Sequence, residues 1–201
     1  MESFIWMDYP TNYRESNMQT LRIAVIACLV ALSIGTNYAL IGVWNVKLMD
    51  FIVFVGGFCF GSVVGVLIGV VSWSVYGTLN PQGFVLPILL ATMFSEMIYG
   101  IAGGLVRKGF DSEELKSETL NAYVFFGTLG IFLTLTYDVF TNIVFGYVSG
   151  VNVILAVVIG FFPFGLFHVI SNAVFFGLGC VPTINAVFKV TKGEQVENHK
   201  E

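Results

Sequence analysis

The sequence predicts an all-α, polytopic membrane bundle of six transmembrane helices with N and C termini cytoplasmic, and three observations predict it. Only 11% of the 201 residues are charged, where a soluble domain of this size carries about 25%. The deficit is spread over long apolar stretches, at 21–43, 50–79, 84–106, 120–149 and 152–188, each long enough as a helix to cross about 30 Å of hydrocarbon. Polar and apolar residues do not alternate with period two along them, so helices rather than a closed barrel must satisfy the backbone in lipid.

Residues 1–20 (MESFIWMDYPTNYRESNMQT) mix acidic and basic groups and are read as a cytoplasmic segment. The apolar run from Leu21 is too long for the core of a secretory signal and is read as helix one. The stretch from Asp50 to Leu79 is long for one helix and short for two, and charge decides between them. Split in two, it gives six spans. The N-terminus, the 107–119 loop and the C-terminus then share a side with eight of the nine basic residues: Arg14, Arg22, Arg107, Lys108, Lys116, Lys189, Lys192 and Lys200. Only Lys47 lies opposite. With five spans the basic residues divide between the two sides, so the positive-inside rule selects six. Gly57, Gly61, Gly65 and Gly69 recur every four residues. The turn is expected near Gly61-Ser62, and the other glycines are expected to let helices pack closely.

Asn80-Pro81-Gln82-Gly83 is turn chemistry between helices three and four. Residues 108–114 form the one extended polar connection, and Ser149-Gly150-Val151-Asn152 closes helix five and opens helix six. The expected organisation is a membrane domain over 21–188 and a cytoplasmic tail over 189–201.

Composition and motifs exclude several functions. A formal net charge of −4 offers no basic surface for nucleic acid. Cys28, Cys59 and Cys180 lie inside apolar stretches without metal-ligand spacing and read as small buried hydrophobes. No cofactor is implied. No phosphate-binding GxxxxGK[ST] loop, HExxH or GxSxG is present, and Ser171 near His168 makes no nucleophile–base motif. An enzyme is not expected.

Ionisable side chains inside a bilayer are costly and mark sites or pathways. Glu96 falls near the middle of helix four, Asp138 in the outer half of helix five, and His168 near the middle of helix six. Asp138 shares a helix face with Asn142, Tyr137 with Thr141, and His168 with Asn172, each pair four residues apart. Tyr38, Trp44, Trp73 and Tyr76 gather toward the outer side, with Asn80 and Gln82 in the following turn. Aromatic walls with a few convergent polar groups describe a small-molecule pocket. Structural readings stand beside this one. Trp44 and Trp73 suit an interfacial belt, Glu96 with Ser95 suits an interhelical hydrogen-bonded pair, and His168 suits a satisfied core histidine. Asp50, near a helix start, reads by default as a cap.

The arrangement resembles the substrate-binding S component of energy-coupling factor (ECF) transporters, the vitamin-uptake systems of prokaryotes. The resemblance rests on the AxxxA pattern Ala27-Cys28-Leu29-Val30-Ala31, the glycine-rich run NVKLMDFIVFVGGFCFGSVVGVLIG ending at Gly69, the six-helix count and the missing ATPase. The proline usual near the second-to-third turn is replaced by Ser62. The resemblance implies a multi-pass protein of a prokaryotic plasma membrane that captures its substrate from outside under a first-loop lid. It implies partners in trans, a transmembrane coupling protein and two ATPase subunits, with Ala27 and Ala31 docking on the coupling protein. The pocket is then expected to take in Asn37, Trp44, Trp73, Tyr76, Asn80, Glu96, Tyr137, Asp138, Asn142, His168 and Asn172, around a vitamin-like heterocycle that is neutral or cationic. Lys47, the only outer cation, gives little support for a phosphorylated ligand. The competing expectations are a stand-alone proton-coupled secondary carrier or channel, with Glu96, Asp138 and His168 as its relay, and a structural scaffold without a ligand.

Overall fold

The computed structural model describes the backbone of residues 11–80, 83–110 and 118–197, and the side chains of residues 19–80, 83–110 and 118–191. Pro81, Gln82 and Lys116 lie outside the described residues. Seven α-helices follow one another among those described: α1 (Thr11–Ala39), α2 (Met49–Phe60), α3 (Ser62–Thr78), α4 (Leu86–Gly109), α5 (Leu120–Ser149), α6 (Val153–Gly160) and α7 (Leu166–Glu197). α6 and α7 are two parts of one broken span, so the bundle has the predicted six. Four spans are long and apolar enough to cross a membrane by themselves: Gln19–Ala39, Leu86–Gly109, Leu120–Ser149 and Val153–Thr191. α2 and α3 are shorter apolar helices.

α2 and α3 fold back on each other about a single residue, Gly61, whose φ of +99° and ψ of 155° suit glycine. The glycine ladder is what lets the hairpin close against α4. A Cβ on Gly65 would stand 2.7 Å from the Cα atoms of both Gly57 and Gly100, one on Gly57 would strike the Gly100 carbonyl, and one on Gly103 the Phe54 carbonyl. Three backbones therefore meet without side chains between them, the close approach that substitutes for hydrophobic driving force in lipid. Beside this contact Phe54, Phe58, Tyr99, Phe126 and Phe176 form a fully buried aromatic core shared by α2, α4, α5 and α7.

Side-chain contacts order the helix ends. Arg107 sits over the Phe58 and Phe188 rings, and Asn185 reaches Glu118, so the ends of α2, α4 and α7 and the start of α5 share one end of the bundle. At the other end the Tyr38 hydroxyl donates to the Leu79 carbonyl, joining the ends of α1 and α3. The α5-to-α6 turn lies at that second end, with Gly150 left-handed (φ +66°) and the Asn152 side chain capping the Leu155 N–H.

The sixth span differs from the single helix expected over 152–188. Residues Phe161–Gly165 form a wider turn, and Phe162 leaves the helical region (φ −114°, ψ 121°). Pro163 explains it: proline has no N–H to donate and pushes the residue before it toward extended backbone. α7 continues through Glu197.

Candidate functional site: a buried polar centre

His168, two residues into α7, is fully buried and both of its ring nitrogens face carboxylates. Nε2 lies 2.6 Å from Asp50 Oδ2 on α2, and Nδ1 lies 2.9 Å from Asp138 Oδ1 on α5. Carboxylate oxygens only accept. The bridge is therefore satisfied by an imidazolium, or by a neutral ring with one of the acids bringing its own proton. One turn further along α7, the Asn172 amide donates to the same Asp50 oxygen at 2.6 Å and to Thr134 Oγ1 at 2.8 Å. Thr134 also accepts from the Tyr99 hydroxyl at 3.0 Å and donates to the Gly130 carbonyl at 2.7 Å, which fills its capacity.

A second pair lies alongside. The Trp73 indole N–H on α3 donates to Glu96 Oε2 on α4 at 2.9 Å. Lys47, from the loop before α2, holds its Nζ 5.0 Å from the Trp73 ring centroid and 5.8 Å from that of Tyr137. Five helices and one loop thus converge on three carboxyl groups, one imidazole and one ammonium.

Several buried polar atoms here have no protein partner: Asp50 Oδ1, Glu96 Oε1, Asp138 Oδ2, Asn172 Oδ1 and the Tyr137 hydroxyl. Such atoms cost on the order of 1–3 kcal/mol each when left unsatisfied. Four of the five are carboxyl or amide oxygens, which accept whenever the acids are ionised.

The sequence-predicted residues distribute around this centre. Glu96, Asp138, His168, Asn172, Trp73 and Tyr137 are in it, the Tyr137 ring lying edge-on to His168 at 5.5 Å. Tyr76 packs between Trp73 and Tyr38 at 5.7 and 5.2 Å. Asn37 is buried on α1 with both amide atoms unpartnered. Asn142 donates to the Asp138 carbonyl and lies against Gly160. Asn80 sits in the turn after α3, its carbonyl accepting from Gly83. Trp44 is 62% exposed and stacks on Phe164 at 5.5 Å, outside the buried centre. The reading of Asp50 as a helix cap needs correction. It stands in the first turn of α2, yet its side chain is turned to His168 and Asn172, and the α2 N-terminus has no side-chain cap. Ser95 makes no pair with Glu96, its hydroxyl being buried without a partner. Sequence reasoning also missed Lys47, Tyr99 and Thr134. A lysine three residues before an acid at a helix start was the one usable signal.

An all-helical membrane bundle with a buried polar centre and no nucleotide-binding motif is the class these observations define. The sequence matches the family model described as ECF transporter, substrate-specific component, over residues 21–178. That span covers well over half of the chain, and the chain belongs to this family. No curated protein matches, and no solved structure matches. The protein is thus a substrate-specific transporter subunit of the membrane, from a family of transporter components rather than of enzymes. ECF S components as a family work with a coupling protein and ATPases.

Proposed function

We propose that the polar centre is the ligand site, and that the chain captures a vitamin or related small heterocycle from outside a prokaryotic cell. Release inside then depends on a transmembrane coupling protein and two ATPase subunits in trans. The observation that carries the reading is the set of unpartnered buried oxygens on Asp50, Glu96, Asp138 and Asn172, beside the Trp73, Tyr76 and Tyr137 rings. Buried polar atoms in folded proteins are nearly always paired, so a cluster of orphans next to aromatic faces favours a missing ligand. Charge supports the orientation. Arg22, Arg107, Lys108 and Lys189 belong to one end of the bundle and Lys47 to the other, which favours a cytoplasmic end bearing both termini. On this reading the membrane domain covers 21–188, flanked by cytoplasmic segments 1–20 and 189–201.

Docking is assigned to α1. Ala27 and Ala31 are both exposed there, with Ala24 and Gly35 continuing the same small-residue stripe. Methyl-sized side chains let a partner helix approach closely. The deciding experiment is gentle purification followed by native mass spectrometry. Co-elution with a coupling protein and ATPases, with a small molecule bound, supports the reading.

One observation favours a second reading. Asp50, His168 and Asp138 form a hydrogen-bonded chain of titratable groups inside the bundle, the kind that relays protons in secondary carriers. Uptake by the chain alone in liposomes, driven by a pH gradient, would establish that alternative.

A further inference from the structure

Three carboxyl groups meet in the buried centre, against one imidazole from the helices. Asp50 and Asp138 each give one oxygen to His168, and Glu96 gives one to Trp73, which leaves one free oxygen on each acid. Whichever protonation His168 carries, the helices alone supply more acid than base. The remaining positive charge comes from a loop. Lys47 is half-buried, and its ammonium lies over the faces of Trp73 and Tyr137, within the ~6 Å at which cation–π attraction operates. Those rings border the free acceptor oxygens, and their faces are the surface a planar ligand would stack on.

We propose that Lys47 is a tethered stand-in for the ligand's charge. The site takes a small planar organic cation with N–H donors on one edge. That cation displaces the Lys47 ammonium from the Trp73 and Tyr137 faces and donates to the free oxygens of Asp50, Glu96 and Asp138. The inference rests on the polar centre being the ligand site and adds the ligand's charge and the residue that competes with it. Lys47 then sets specificity by sign. A cation gains from its removal, whereas an anion or a neutral acceptor would lose a partner.

Benzamidinium and benzamide, nearly equal in shape and different in charge, are suitable probes. Each is titrated against the full chain in lipid nanodiscs, with thermal unfolding followed by tryptophan fluorescence, for wild type, Lys47→Met, Lys47→Gln and Lys47→Arg. Benzamidinium is expected to stabilise wild type with a midpoint at least about tenfold below that of benzamide. Both neutral variants should lower the benzamidinium midpoint by about tenfold, the scale of a partly desolvated cation–π contact, and Lys47→Arg should resemble wild type. Equal midpoints for the two probes, no saturable shift with benzamidinium, or weaker benzamidinium binding in both neutral variants would overturn the proposal. Any of these alongside intact co-purification with the coupling protein and ATPases would leave the transporter assignment standing and remove only the ligand charge.

Discussion

The Nε2 atom of His168 lies 2.6 Å from Oδ2 of Asp50, tying the first turn of α2 to the first turn of α7 across 118 residues of sequence. A buried contact between two ionisable side chains costs most when one partner is removed, because the other is left buried and unpaired. His168→Ala is expected to lose about 3 kcal/mol or more of stability, read as a drop in the thermal unfolding midpoint in detergent. The double variant with Asp50→Asn should lose less than the sum of the two single changes, since both remove the same contact. Additive losses would mean the two side chains do not act as a pair.

Asp138 gives its other oxygen to nothing in the protein. Asp138→Asn keeps the shape and removes the charge, and it should weaken binding of the co-purified small molecule by more than about tenfold. Titration by calorimetry or tryptophan fluorescence checks this, and an unchanged affinity removes Asp138 from the site.

The contact of Gly57, Gly65 and Gly100 leaves no space for a methyl group, whereas a Cβ added at Gly109 would meet nothing within 4 Å. Gly65→Ala and Gly100→Ala should each destabilise by about 1–3 kcal/mol, as overpacking does. Gly109→Ala is the control and should leave the unfolding midpoint in place.

Ala27→Trp and Ala31→Trp change an exposed face of α1 and touch no part of the polar centre. Ligand binding should persist while assembly with the coupling protein is abolished in a pull-down. Loss of binding with normal assembly would reverse the roles assigned to the two regions.

Lys47 and Lys108 belong to opposite ends of the bundle. An impermeant amine reagent applied to intact cells should modify Lys47 and spare Lys108, as peptide mass mapping would reveal. The opposite pattern would invert the orientation and with it the direction of capture.

Much of this architecture is legible in the sequence because membranes impose long-range rules on local composition. Lys47 set against the other basic residues of the sequence argues for a hairpin in 50–79, and Gly61 is where the backbone makes it. Glu96, Asp138, His168 and Asn172 stand out because polar groups in lipid are expensive, and the same expense draws them together in the interior. Asp50 was hidden by its position. At a helix start a carboxylate has an adequate local explanation, and only the packing of α7 beside α2 supplies His168 as a partner. Tyr99 and Thr134 are ordinary residues in apolar helices, and no spacing rule marks a hydroxyl that will be shared between them. The break at Phe162 has a sequence signal in Pro163, but the signal is ambiguous, because Pro182 in the same apolar run lies inside the continuous helix α7.

The brevity of α2 has a geometric consequence. Its 12 residues rise only about 18 Å, against roughly 30 Å of hydrocarbon. Phe58 lies against Arg107 near the end of α2, and Asp50 stands about 12 Å back along the helix, where the loop carrying Lys47 meets the same centre. Helix length thus acts as a depth gauge for the acid. One extra turn inserted into α2 would lift Asp50 by about 5.4 Å, twice its present separation from the imidazole, and strand it above the ring it now holds.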